Sequence, residues 1–358
     1  MGERLDAVVV GAGPNGLTAA VLLARAGLSV GVWEADESIG GAASTAELTL
    51  PGFLHDVGSA VHPFAAGSPV FRELGLAGPD LEWLQPPLAL AHPFDVDDAA
   101  VLDRSLARTA ERLGPGYRRL LRPFVGRWDT LAPDVLRSVA WPPPRHPLLL
   151  ARFGRRALAP LARLVRRLHN PAGASLLAGM AGHTGDPLSA PVTGGPALML
   201  ALAAHEVGWP VPRGGAQAIS DALASRLRAL GGTITAAHPV SSLDELPAAR
   251  AYLLDVAPSA VAALVGARLP ARYTRRLARY RRGPGVFKVD YALAEPVPWR
   301  DAACGQAGTV HLGGGLDEIG ATLQSIGRGE APERPFVVSA QPSLVDPSRA
   351  PAEQHTFW

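Results

Sequence analysis

The clearest chemistry in the chain belongs to Gly11-Ala12-Gly13-Pro14-Asn15-Gly16 and to Glu34, 18 positions beyond Gly16. Gly11 permits a tight turn from strand into helix. Gly13 carries no Cβ, so a pyrophosphate can approach the backbone, and Gly16 lets helix and strand pack closely. A helix opening here turns free N–H groups and its positive dipole end toward phosphate. Glu34 is placed to accept hydrogen bonds from ribose hydroxyls. Together these residues describe the binding of an adenine dinucleotide. Further along, His62 is the candidate for polar work near a reacting ring because it follows the cofactor loop. Lys288 lies in a strand-patterned segment and is expected to be solvated at a sheet edge. A single cysteine, Cys304, excludes an intramolecular disulfide and a paired-cysteine redox centre. No His/Glu spacing suits a metal, and no GxSxG elbow occurs.

These residues need a βαβ unit to hold them. Ala7 to Val10 is an apolar strand. A helix over about Gly16 to Ala26 buries Leu17, Ala20, Val21 and Ala24, and Gly27 stops it. Leu28 to Trp33 alternates as the second strand. The same pattern returns from Gly208: a helix over Gln217 to Leu230, then strands at Thr233 to Ala236, Val240 to Leu243 and Ala251 to Asp255. The fold class is therefore α/β, with a discontinuous Rossmann-type cofactor domain over 1–63 and 206–265. Residues 64–205 read as a helical insert, with helical spacing over Ser105 to Leu121 broken at Gly114-Pro115-Gly116. Residues 266–358 read as substrate-domain strands of a mixed sheet, centred on Val286 to Leu293, Val310 to Leu312 and Phe336 to Ala340.

The chain has 358 residues, enough for about two domains. A net charge of +2 argues against nucleic acid as a partner. Met1 to Asp6 is too short and polar for a signal peptide. The longest apolar run, Pro196 to Ala204, has nine residues, against roughly 18 for a membrane span. The expected location is cytoplasmic. One segment adds membrane association to that expectation. Over Leu148 to Leu168, Arg152, Arg155, Arg156, Arg163, Arg166 and Arg167 share one side of a helical wheel. Phe153, Leu158, Leu161, Leu164, Val165 and Leu168 take the other, with a kink at Pro160. Such a helix is either a solvated surface element or a peripheral membrane contact through 148–168. Oligomeric state, including a homo-oligomer, is left open.

Glu34-Ala35, four residues, and Gly40-Gly41 resemble the extended FAD-binding signature of amine oxidases and phytoene dehydrogenases. Pro51-Gly52-Phe53-Leu54-His55-Asp56-Val57-Gly58-Ser59-Ala60-Val61-His62-Pro63 is similar to the phytoene-dehydrogenase-related branch, which includes the pyridine nucleotide-disulfide oxidoreductase domain proteins. The resemblance implies FAD, held by Gly11, Gly13, Pro14, Asn15, Gly16, Glu34, Ala35, Gly40, Gly41 and Ala42, with the Val240 backbone against the adenine. Many relatives carry Arg after the glycine pair. Ala42 here forgoes a charge-assisted contact of about 1.5–3 kcal/mol. The implied activity is an FAD-dependent oxidoreductase taking hydride from a lipophilic substrate. The alternatives are an amine-oxidase-type flavoenzyme and a non-catalytic FAD- or lipid-binding protein. The last segment, Gln341 to Trp358, leads in relatives into a further strand, and the family's closing glycine-rich segment has no counterpart here. The expectation is an unprotected strand edge at Trp358, an intact ADP half of the site and an open ring half, in a truncated form or one completed by a partner.

Overall fold

A computed structural model describes residues 4–76, 78, 80–96, 98–137 and 142–358; Met1 to Glu3 of the amino-terminal expectation lie outside them. Strand β1 (Leu5–Val10) enters the core at once, with Val8 and Val9 fully buried. The chain turns at Gly11, whose φ of +103° suits glycine, into α1 (Pro14–Arg25). Pro14 fits the first helical turn because an N–H there has no intrahelical partner. Leu17, Ala20, Val21 and Ala24 form the buried stripe of α1. Strand β2 (Val30–Trp33) then lies parallel to β1, from Ala7↔Val30 to Val10↔Trp33. Strands β3 (Thr45–Glu47) and β4 (Leu54–Asp56) form an antiparallel pair after the second glycine loop.

After two short helices at Pro63–Ala66 and Pro69–Glu73, the middle of the chain contributes strands β5 (Leu88–His92) and β6 (Ala100–Leu102) ahead of the longer helices. Helix α2 (Leu106–Leu121) breaks at Gly114, φ +83°, as its Gly-Pro-Gly predicts. Helices α3 (Pro147–Ala157) and α4 (Leu161–Val165) are separated at Pro160. Helices α5 (Pro171–Gly182) and α6 (Gly194–Glu206) are buried almost all round. The nine-residue apolar run is therefore the inside of a core helix. No helix among the described residues is long and apolar enough to cross a membrane.

Helix α7 (Gln217–Ala229) packs on α1, and β7 (Thr233–Thr235) and β8 (Ala249–Leu254) complete a parallel sheet of order β8-β1-β2-β7. Helices α8 (Pro258–Val265) and α9 (Ala271–Ala278) follow. A second, mixed sheet, order β11-β10-β5-β6, joins β5 and β6 to β10 (Ala307–Leu312) and β11 (Val337–Ala340). Leu90 and Leu102 face the helical core, while Ala91, Val101 and Val310 face the opposite side. Helix α10 (Leu316–Gly327) docks on α5. The architecture is a Rossmann-type α/β fold with a parallel core sheet, a helical insert and a separate mixed sheet.

Four local expectations change. Residues 240–243 do not form a strand; the chain runs irregularly into a single 3₁₀ turn at Leu243–Glu245. Of the alternating segment 286–293, only β9 (Tyr291–Leu293) is paired, and Val286 and Phe287 are each 92% exposed. The terminal edge is partnered: β12 (His355–Phe357) pairs antiparallel with β9, and Trp358 and Ala340 exchange backbone hydrogen bonds of 2.7 and 3.2 Å. Alternation alone identified a strand here without showing which half would find a neighbour. In the basic segment, Phe153, Leu161, Leu164, Val165 and Leu168 are buried in the main core, whereas Leu158 is 64% exposed. Leu158 caps the end of α3, about 140° around the helix from Phe153, so it falls at the margin of the apolar side.

Candidate functional site

The two glycine loops meet at the carboxyl ends of β1 and β2, where open α/β sheets bind ligands. Gly40 N–H donates to Ala12 O at 3.0 Å, and the Gly40 carbonyl accepts from Ala43 N–H at 2.9 Å. Cβ-sized space separates the glycines into two kinds. A Cβ at Gly16 would lie 2.2 Å from Gly11 O, and one at Gly11 would lie 2.5 Å from Asp255 O. These two are required by the protein's own packing. A Cβ at Gly13 would meet nothing nearer than 3.6 Å, and one at Gly41 would likewise stop 3.6 Å from Gly13 Cα. Room has been left on facing sides of the two loops, which is the shape of a cradle for a ligand backbone such as a pyrophosphate.

The polar groups around that cradle are partly engaged. Asp255, at the end of β8, accepts from Gly16 N–H at 2.7 Å and so caps the first turn of α1. Pro14 has no N–H. Gly13 and Asn15 N–H have no hydrogen-bond partner among the described residues. Glu34 accepts from Ala12 N–H through Oε2 (2.7 Å) and from Asp36 N–H through Oε1 (3.1 Å). Its carboxylate therefore already bridges the mouth of the loop. The Glu34 and Asp36 carbonyls accept from His238 and Ala237 N–H, each at 2.8 Å, which ties the segment after β7 to the end of β2. Ala35 is exposed. Val240 is half-buried against the cluster of Val8, Val10 and Trp33, with its backbone unpaired among the described residues. Ala42 is exposed, and its carbonyl accepts from Ser59 N–H at 3.1 Å.

His62 is half-buried. Its Nε2 lies 2.9 Å from Ser59 O, so that nitrogen carries the proton and donates. Burial pulls its pKa below the ordinary imidazole range. The ring thus steadies Ser59, which in turn holds Ala42 O. This makes it a positioning residue of the second loop.

Sequence reasoning missed the brace behind that loop. Asp56 Oδ1 accepts from Thr45 Oγ1 (2.8 Å) and Ala216 N–H (2.7 Å). Its Oδ2 ion-pairs with Arg349 Nη2 at 2.9 Å, both side chains fully buried. Arg349 Nε donates to Leu54 O at 3.1 Å. Asp346 Oδ2 accepts from Gly214 N–H at 2.7 Å. Beside the brace, His55 Nδ1 lies 3.4 Å from Asp290 Oδ1, and Lys288 pairs with Asp290 while sitting 5.2 Å over the Trp358 ring. Lys288 is therefore not a solvated edge lysine; its side chain is 18% exposed. The junction of β4, residues 346–349 and β12 also holds buried polar atoms without hydrogen-bond partners: His55 Nδ1, Arg349 Nη1, Thr356 Oγ1 and Trp358 Nε1. Nothing in local sequence signals a partnership between positions 56 and 349. Asp255 was legible in principle, as an acid ending the strand that neighbours β1.

An open groove of about 1710 Å³ lies elsewhere, on the exposed side of the mixed sheet, with Leu88, Val101, Trp299, Leu312, Arg108 and Arg300 on its walls. It contains none of the glycine-loop residues and is not part of the cradle.

A family described as an NAD(P)-binding Rossmann-like domain matches residues 9–74. The chain has a Rossmann-type dinucleotide-binding fold. A limonene dehydrogenase subunit of Castellaniella defragrans is 32% identical over 137 residues, 37% of this chain and 25% of that protein. Pyridine nucleotide-disulfide oxidoreductase domain-containing protein 2 of Mus musculus is 56% identical over 48 residues, 13% of this chain and 8% of that one. The matched stretches thus span a quarter or less of these relatives' own length. Among solved structures, an oxidoreductase from Methanosarcina mazei aligns with a TM-score of 0.64 at 17% identity, covering 99% of this chain and 78% of its own. A triple mutant of putrescine oxidase aligns with a TM-score of 0.61 at 19% identity, covering 99% and 74%. These likenesses carry the fold.

Proposed function

We propose that the chain binds FAD across its two glycine loops and works as an FAD-dependent oxidoreductase. The observation that carries this reading is the hydrogen bond from Gly40 to Ala12, which joins the loops into one cradle with open space at Gly13 and Gly41. One glycine loop suits any dinucleotide; the second pair resembles the FAD signature. In this reading Gly13 and Asn15 N–H and the start of α1 receive the pyrophosphate, with Gly40, Gly41 and Ala42 covering it. Glu34 exchanges Ala12 N–H for ribose hydroxyls, with Ala35 beside it, and the unpaired Val240 backbone meets the adenine. Bound FAD supplies a two-electron acceptor for hydride from a substrate C–H bond. The chain's residues bind and orient it, with His62 and the Asp56–Arg349 brace fixing the second loop.

Two substrate classes fit. Amine oxidation has the broader support, since the likeness to putrescine oxidase runs over 99% of this chain. Dehydrogenation of an apolar substrate is the second reading, supported by the stretch shared with the limonene dehydrogenase polypeptide and by the resemblance to phytoene dehydrogenases. Anaerobic mixing of the FAD-loaded protein with a panel of primary and polyamines, and with a panel of monoterpenes, separates them. Bleaching of the flavin absorption by amines supports the first class and bleaching by terpenes the second. A flavin that dithionite reduces and neither panel does would contradict the oxidoreductase reading and leave an FAD-binding protein.

A further inference from the structure

The stretch Val256 to Val289 contains seven arginines, one lysine and no Asp or Glu. Its helix α9 places Tyr273 and Leu277 at i and i+4, on one stripe of an amphipathic element, and Tyr280 follows just past the helix end. That stripe is not spent on the core. No residue of α9 is buried, Tyr273 is 47% exposed and Tyr280 63%. The arm that follows ends in Val286 and Phe287, adjacent apolar side chains each 92% exposed. Arg272, Arg275, Arg276, Arg279 and Arg281 flank the stripe with no carboxylate in ion-pair range among the described residues. Some exposed arginines elsewhere do have one: Arg25, Arg72, Arg213, Arg250 and Arg328 each pair with an acid, whereas Arg152, Arg155, Arg166 and Arg167 of the other basic segment do not among the described residues.

We infer that residues 271–287 form a docking surface for an anionic lipid bilayer. The arginines meet lipid phosphates, and Tyr273, Tyr280, Val286 and Phe287 enter the interfacial layer. Interfacial binding needs basic charge and a free apolar face together. The basic segment 148–168 supplies the charge, but its apolar side, Leu158 apart, lies in the core. A nucleic acid would use the arginines and tyrosines but leave the exposed Val286 and Phe287 without a role. Tyrosine at a membrane–water boundary keeps its ring apolar and its hydroxyl wet. The inference is independent of the cofactor.

Flotation of the purified full chain with phosphatidylglycerol/phosphatidylcholine vesicles and with pure phosphatidylcholine vesicles tests it. The expected result is binding to the anionic vesicles only, falling steeply between low and high salt. Arg275→Glu/Arg276→Glu/Arg279→Glu and, separately, Val286→Ser/Phe287→Ser each weaken it by about tenfold or more. Arg152→Glu/Arg155→Glu/Arg166→Glu, on α3 and at the end of α4, stays within about threefold of wild type. All positions changed are exposed, so melting curves should coincide. The salt dependence of the wild type stands as evidence even if a variant misfolds. Equal binding to neutral vesicles, no binding to anionic ones, loss confined to the α3–α4 variant, or binding to a single-stranded oligonucleotide in place of vesicles would each overturn the inference.

Discussion

At the scale of residues, the glycines of the cradle divide into those the fold needs and those only a ligand needs. Gly16→Ala drives a methyl into Gly11 O and the Asp255 carboxylate, at 2.2 and 3.1 Å. It should destabilise the protein without any ligand, by about 1–3 kcal/mol or more. Gly13 has ordinary extended angles, φ −71° and ψ 171°, and open space around its Cα. Gly13→Ala should leave the melting curve of the ligand-free protein within about 0.5 kcal/mol of wild type yet cut nucleotide affinity at least about tenfold. Paired melts and FAD titrations of the two variants check this; equal loss of stability in both would show that Gly13 serves packing alone. The GxGxxG pattern was readable from sequence, but this division was not. It depends on Asp255, which is distant in sequence and reaches the loop only because β8 pairs with β1.

Titration supplies a second expectation at this scale. His311 and His92 are fully buried, with His311 Nε2 3.0 Å from His183 Nε2 and His92 Nε2 2.7 Å from Gly314 O. Burial pushes both of their pKa values down, His311 well below 6.5. The unfolded chain takes up protons near pH 6.5 that the folded rings refuse. Stability from these groups is therefore full above pH 6.5 and lost as pH falls below it. Melting temperatures should drop from pH 7.5 to 5, and His311→Gln should flatten that slope. A slope that His311→Gln leaves unchanged would contradict the assignment.

At the scale of elements, the brace from Asp56 on β4 to Arg349 connects positions 293 apart and fixes the strands behind the second glycine loop. Arg349→Met should cost about 3–5 kcal/mol in chemical unfolding, because it leaves the Asp56 charge buried and unpaired. Adding Asp56→Asn should recover most of that loss, since the buried charge goes with it. A double variant as unstable as the single would show that Arg349 acts through packing alone. Legibility follows the same distance rule. The unit β1–α1–β2 was readable because its periodicity, glycines and acid all lie within about thirty residues. The strand expected at 240–243 failed because β7 ends early and its continuation is spent tethering Glu34 and Asp36 through Ala237 and His238. At 286–293 the alternation was real, but pairing came only where β12 reached β9.

At the scale of the whole molecule, the parallel sheet carries the two joined glycine loops, and the mixed sheet with its buried helices forms the second layer. The overall class was legible because the cofactor domain announces itself twice, before and after the insert. The second layer was only partly legible. Its strands β5 and β6 lie inside the region that reads as helical, and they belong with β10 and β11 some 200 residues later. The central claim is that the joined loops hold FAD. Titration of ligand-free protein with FAD and, separately, with NAD⁺ is the direct test, read by quenching of flavin fluorescence and by melting temperature. FAD should bind at one site per chain and stabilise the protein by about 2.7 kcal/mol at a hundredfold excess over Kd, with NAD⁺ giving no comparable shift. Stabilisation by NAD⁺ with none by FAD would contradict that claim.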